Sequence, residues 1–63
     1  MKTKDIKMVC DMIHVGEQVA TILLTLAGGD VNLVIESSQQ ANGLDQCKAN
    51  IINKRFKEVE THV

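Results

Sequence analysis

Residues 24–36 read LTLAGGDVNLVIE and decide how this chain folds. An apolar segment runs up to the pair Gly28-Gly29, and Asp30 stands at the start of the next apolar segment. Glycine is the commonest residue just past a helix end, where a left-handed conformation is needed, and aspartate is a preferred residue at a helix start. The stretch therefore predicts the end of one helix, a tight turn with positive φ, and the start of another helix.

The segment before this turn is the most apolar part of the chain. Its first turn carries Glu17, and apolar residues follow at the i, i+3, i+4, i+7 spacing of one helical face. A stripe of this kind indicates a helix that lies at the centre of the core. Its residues are Val19, Ile22, Leu23 and Leu26.

Another helix is predicted near the first residues of the chain. Thr3 can cap it, and Asp5 lies in its first turn, where a carboxylate suits the helix dipole. Gly16 signals the end of this helix by the same rule as the glycine pair above. Its apolar face has the same helical spacing and consists of Ile6, Val9, Cys10 and Ile13.

Residues 42–61 predict a longer fourth helix. It begins near Asn42, carries Asp45 early and has basic residues late, which matches the helix dipole at both ends. Because a three-helix core has limited reach, we expect only the first half of its apolar stripe to pack on that core. The packed residues are Leu44, Cys47 and Ile51, and those left exposed or paired with another chain are Ile52, Phe56 and Val59.

The pattern also permits an α+β fold. Val31, Leu33 and Ile35 alternate strictly, as residues of a strand do, and residues 27–30 could form a hairpin turn between two strands. Residues 15–18 could form a second turn. A three-stranded meander followed by a C-terminal helix is therefore an alternative that the pattern alone leaves open.

Several residues before the turn, most of them small or apolar, combine with residues 24–36 into a pattern that a known family of three-helix domains also has. They are Asp5-Ile6, Val9, Val15, Ala20 and Leu24. On these residues, segment 4–36 resembles the ubiquitin-associated (UBA)-like three-helix domain of the nascent-polypeptide-associated complex and elongation factor Ts type. The resemblance favours an all-α fold over the meander. We expect one domain, residues 1–63, with a UBA-like core in residues 4–39 and the additional helix in residues 42–61.

The resemblance implies a non-enzymatic module or adaptor that binds other proteins, with a link to translation or nascent chains. Ubiquitin-binding members carry a Met-Gly-aromatic first loop and a leucine pair at the end of helix three, where this chain has Ile13-His14-Val15 and Ser37-Ser38. We expect a protein partner at Ile13, His14 and Val15, or on helix four at Ile52, Phe56 and Val59. Self-association through helix four is also expected, since so small a core contributes only ~3–5 kcal/mol.

Composition weighs against nucleic acid as the partner. The net charge is −1, and Phe56 is the one aromatic residue available for base stacking. The alternative hypothesis is a small nucleic-acid-binding regulator that uses the basic side of helix four, and its binding would weaken steeply with salt. The residues that would contact phosphate are Lys48, Lys54, Arg55 and Lys57.

No residue pattern indicates catalysis, a cofactor or a metal. Cys10 and His14 stand four apart, as residues of one helix face do, but a structural zinc site needs four ligands and a Cys–His nucleophile needs a third group. We expect Cys10 and Cys47 to be buried thiols. The longest apolar run, residues 19–27, is far shorter than the ~20 residues that span a bilayer. No apolar signal stretch precedes the first charges, so we expect a cytoplasmic protein.

Overall fold

Four α-helices make up the described part of the structure. The computed structural model describes residues 2–61, with side chains described for residues 2–55. No strand occurs within residues 2–61, so the all-α prediction is confirmed and the three-stranded alternative is wrong. The helices are α1 (Thr3–Ile13), α2 (Glu17–Leu26), α3 (Val31–Gln39) and α4 (Leu44–Thr61).

The turn between α2 and α3 has the geometry that its two glycines predict. Gly28 and Gly29 have φ angles of 66° and 85°. The Gly29 N–H donates to the Leu24 carbonyl at 2.8 Å, and the Gly28 N–H donates to the Thr25 carbonyl at 3.2 Å. This pair of bonds is the Schellman arrangement, which satisfies carbonyls that the helix itself leaves without partners.

Asp30 starts α3 and thereby excludes a hairpin at this position. Its carboxylate accepts the Leu33 N–H at 3.2 Å, and its main-chain carbonyl accepts the Val34 N–H at 3.3 Å. Val31, Leu33 and Ile35, whose alternation also permits a strand, therefore lie on a helix. Val34, which breaks that alternation, is fully buried.

The first loop differs from the prediction that Gly16 ends α1. The helix ends at Ile13, and His14 adopts the left-handed conformation, with φ 59° and ψ 52°. Gly16 has φ −74° and ψ 167°, which is extended backbone, and it precedes α2 as its cap residue. The chain therefore turns on a histidine, and the glycine serves the start of the next helix.

α1 begins one residue earlier than the sequence predicts. The Lys2 carbonyl accepts the Asp5 N–H at 3.0 Å, so Thr3 is already helical and the prediction that it caps α1 is wrong. The predicted apolar face nevertheless packs on the core, with Val9 fully buried. The half-buried residues around it are Ile6, Cys10 and Ile13.

α2 supplies the largest share of the core, as the sequence predicts. Leu23 and Leu24 are fully buried. Ile22 was predicted to be buried, but it is 48% exposed. The buried face is formed by positions 20, 23, 24 and 27. Because successive helix residues are rotated by about 100°, Ile22 lies on the opposite, solvent-facing side of α2. The buried apolar residues are Val9, Ala20, Leu23, Leu24, Ala27, Val34, Cys47 and Ile51.

α4 packs on α2 and α3. Within the described residues, no Cα of α1 lies within 8 Å of a Cα of α4. Cys47 and Ile51 are buried, as predicted, and Ile52 is 38% exposed, also as predicted. Leu44 was expected to pack on the core, but it is 40% exposed because it lies in the first turn of α4, at the end of the bundle.

Polar side chains of α4 bind the ends of α2 and α3. Asn50 Nδ2 donates to the Ser37 carbonyl at 3.1 Å, and the Arg55 guanidinium donates to the Leu26 carbonyl. Both carbonyls belong to the last turn of their helix, where the intrahelical partner is missing. α4 therefore caps two other helices with its own side chains.

Replacing Leu23 with alanine should cost about 2–5 kcal/mol of unfolding free energy, because the change removes a fully buried leucine side chain. The matched control is Ile22→Ala on the same helix, where the side chain is half exposed and the change should stay near 0.5 kcal/mol. Urea titrations followed by circular dichroism measure both. Equal losses at the two positions would contradict the packing of α2 described above.

Ser37 is fully buried beneath α4, and its hydroxyl has no hydrogen-bond partner among the described residues. An unsatisfied buried hydroxyl costs about 1–3 kcal/mol, so Ser37→Ala should raise the unfolding free energy by up to about 1 kcal/mol once the small void is counted. Ser38→Ala, at a half-buried neighbour, should change it little. A lower urea midpoint for Ser37→Ala alone would mean that the hydroxyl is bonded.

Candidate functional site

A groove opens at one end of the bundle, where the first loop meets the start of α4. Its volume is about 180 Å³. Its lining is mainly apolar, with Leu23 and Cys47 buried and Leu44 partly exposed to solvent. We call it the end groove, and it is lined by Ile13, Val15, Leu23, Ser38, Ala41, Gly43, Leu44 and Cys47.

The first loop contributes two of its three predicted partner-binding residues to this groove. Ile13 and Val15 are half-buried and line it, whereas His14 between them is exposed and does not. The left-handed backbone at His14 separates the two apolar neighbours from the imidazole. The sequence predicts that Ile13, His14 and Val15 form one surface, but the structure places only Ile13 and Val15 in the groove.

Leu44 lines the groove, although its helical spacing predicts that it packs on the core. It shares a helical face with Cys47 and Ile51, at the spacing i, i+3, i+7, and that spacing gave the correct face. The face extends beyond the core at the first turn of α4, so Leu44 meets the groove instead. Its position directly after Gly43, at the helix start, was the signal for this difference.

Of the helix-four residues predicted to bind a partner, Ile52 has a described side chain, and it stands apart from the end groove. Ile52 is partly exposed but is not one of the lining residues. Phe56 and Val59 lie outside the described side chains, so their part in an interface stays a prediction.

Cys47 lies at the buried side of the end groove, with 3% of its surface exposed. Burial raises the pKa of its thiol, which keeps the sulfur protonated and weakly nucleophilic at neutral pH. Cys10 was expected to be buried, but it is half-buried on α1. Because a disulfide needs Cα atoms roughly 4.4–6.8 Å apart, and those of α1 and α4 are more than 8 Å apart, the two thiols cannot pair in this fold.

Cys10 and His14 do not share a helix face. α1 ends at Ile13, and the left-handed conformation of His14 takes it off the helical path. In the part of the chain that the structure describes, no three His, Cys, Asp or Glu side chains are placed to hold a metal ion. The four-residue spacing of Cys10 and His14 therefore does not place the two side chains together as metal ligands.

Two of the basic residues proposed for nucleic acid make contacts within the protein. Lys54 Nζ lies 3.6 Å from Glu36 Oε2, and the Arg55 guanidinium is bound to a carbonyl of α2. Asp30 and Glu36 line the same shallow groove as these cations, so its charge is mixed. Lys48 is half-buried, and the side chain of Lys57 lies outside the described ones.

Among the described helices, none is both long enough and apolar enough to cross a membrane on its own. α1 and α2 reach the required length and composition only when taken together, and the chain bends by 108° between them.

Replacing His14 with glycine should raise the unfolding free energy by about 0.5–1 kcal/mol, because glycine adopts a left-handed conformation without the steric cost that a side chain incurs. Gln40→Gly is the control, since Gln40 follows α3 as its cap residue with φ −94° and gains nothing from glycine. That change should lower stability by several tenths of a kcal/mol. Thermal melts compare the two, and a destabilised His14→Gly would show that the imidazole makes a contact of its own.

In comparisons with known proteins, the chain matches no protein-family model, no curated protein and no solved structure.

Proposed function

We propose that this protein is a small non-enzymatic adaptor that binds another protein by receiving an apolar side chain in the end groove. The observation that carries the proposal is the groove itself, with its apolar lining and its volume of about 180 Å³. An interface of this kind places a buried apolar anchor in a pocket and surrounds it with weaker contacts.

The size of the groove decides between two kinds of occupant. Pockets for substrates and cofactors measure roughly 300–1,000 Å³, so the end groove is small for that purpose. A cavity of about 150 Å³ lined by aliphatic and aromatic residues accommodates benzene. The end groove therefore suits one bulky apolar side chain of a partner better than it suits a whole small-molecule substrate.

Leu44 supports this function by its exposure. A leucine that is 40% exposed beside an apolar groove offers surface that a partner could remove from water. Ile13 at the end of α1 and Val15 in the first loop are both half-buried and line the same groove as Leu44. The resemblance of residues 4–36 to the UBA-like domain extends the proposal to a partner in translation or nascent-chain handling.

The proposal is tested by site-specific crosslinking followed by affinity measurement. Benzoylphenylalanine is placed at position 44, or at position 22 on α2 as the control, and proteins crosslinked in cell extract are identified by mass spectrometry. A partner crosslinked from position 44 is then purified. Its affinity is measured for the unaltered chain, for Leu44→Asp and for Ile22→Asp.

We expect Leu44→Asp to weaken binding by about tenfold or more, as loss of a central apolar contact does, and Ile22→Asp to leave it unchanged. Circular dichroism melts should show both variants folded. Equal affinities for all three chains would contradict the proposal. So would a nucleic acid as the bound species, with affinity that falls steeply as salt rises.

A further inference from the structure

Asn42 and Gly43 lie in the link between α3 and α4, residues 40–43, and both are exposed. Gly43 has φ 139°, and no atom lies within 4 Å of the position that a Cβ would occupy. The Asn42 main-chain N–H donates to Gln46 Oε1 at 2.6 Å. Within the described part of the chain, no hydrogen bond involves the Asn42 carboxamide or the Gly43 N–H. Neither the Asn42 carboxamide nor the Gly43 N–H, the two groups that react in an Asn-Gly pair, is therefore held by a hydrogen bond in the described residues.

We propose that Asn42 is a site of spontaneous deamidation. The Gly43 nitrogen loses its proton to solvent base and forms a bond to Asn42 Cγ, while the Cγ–Nδ2 bond breaks and ammonia leaves. The product is a cyclic imide. Water then opens it at either carbonyl, which gives aspartate or isoaspartate, and no electrons are transferred. In isoaspartate the main chain runs through Cβ and Cγ and is one carbon longer.

The other asparagines with described side chains lack this freedom. Asn50 and Asn53 lie within α4 and Asn32 lies within α3. In a helix the following N–H donates to a carbonyl one turn back, so it cannot attack the carboxamide. The N–H after Asn32 is held by the Asp30 carboxylate, and the Asn50 carboxamide is bound to the Ser37 carbonyl. They are internal controls.

The position of Asn42 gives the modification a consequence for the end groove, and this step rests on the proposed function. Ala41 on one side of Asn42 and Gly43 on the other both line the groove. Either product places a carboxylate beside an apolar binding surface. Isoaspartate also changes the path of the chain just before α4 and displaces the N–H that Gln46 now accepts. We infer that the aged chain binds an apolar anchor less tightly.

The test incubates the full chain at neutral and mildly alkaline pH and maps its peptides over time by mass spectrometry. We expect the peptide with residue 42 to gain the mass of NH₂ replaced by OH, faster at higher pH because the attacking nitrogen must lose a proton. Intramolecular attack by an adjacent, unrestrained group is fast, so the rate should exceed that at Asn50 and Asn53 by an order of magnitude or more. Chromatography should resolve both aspartate and isoaspartate.

Asn42→Gln is the matched variant, because glutamine must close a larger ring and should stay unmodified while the fold, checked by circular dichroism, is kept. Modification at residue 42 no faster than at Asn50 would overturn the proposal. Aspartate without isoaspartate would also overturn it, since that product pattern indicates direct hydrolysis.

Binding is then compared between the fresh chain, the aged chain and the aged Asn42→Gln variant, using the partner identified by crosslinking. Weaker binding of the aged chain alone supports the effect on the groove, and equal binding overturns that effect. Peptide mapping needs no partner, so failure of the deamidation proposal and failure of the proposed function can be told apart.

Discussion

The capping of α2 and α3 by side chains of α4 is the interaction on which the arrangement of this protein depends. Arg55 donates to the Leu26 carbonyl and Asn50 donates to the Ser37 carbonyl. The Asn50 bond is partly buried and the Arg55 bond is exposed. A typical hydrogen bond contributes about 0.5–1.5 kcal/mol net, which is a sizeable share of the stability that so small a domain can have. These two bonds join α4 to the ends of α2 and α3, and the buried Cys47 and Ile51 pack the same helix on the core.

Gly28 serves this arrangement through its backbone. Its φ of 66° completes the Schellman turn at the end of α2. A Cβ built on it would lie 3.4 Å from the Arg55 guanidinium, which is ordinary van der Waals contact, so the positive φ is what favours glycine here. Lys54 continues the link to α3 through Glu36. The basic residues late in α4 are therefore structural in the part of the helix whose side chains are described.

Local patterns predicted the α2–α3 turn because its signals, two glycines and an aspartate, act on the adjacent backbone. They failed in the first loop because His14 takes a left-handed conformation that its residue type does not require. Helical spacing gave the buried face of α4 but not where the core ends, so Leu44 was misplaced. The capping bonds of Arg55 and Asn50 were not predictable, since they join residues 29 and 13 apart. The UBA-like arrangement stays a prediction.

The separation of α1 from α4 has a consequence for the proposed binding of a partner side chain. These two helices meet at the end groove through Ile13 and Leu44, yet their backbones do not approach within 8 Å in the described residues. A partner side chain in the end groove would contact Ile13 of α1 and Leu44 of α4, and so would connect the first helix with the last. Because a ligand that binds only the native state stabilises it by mass action, the proposed partner would also stabilise the fold.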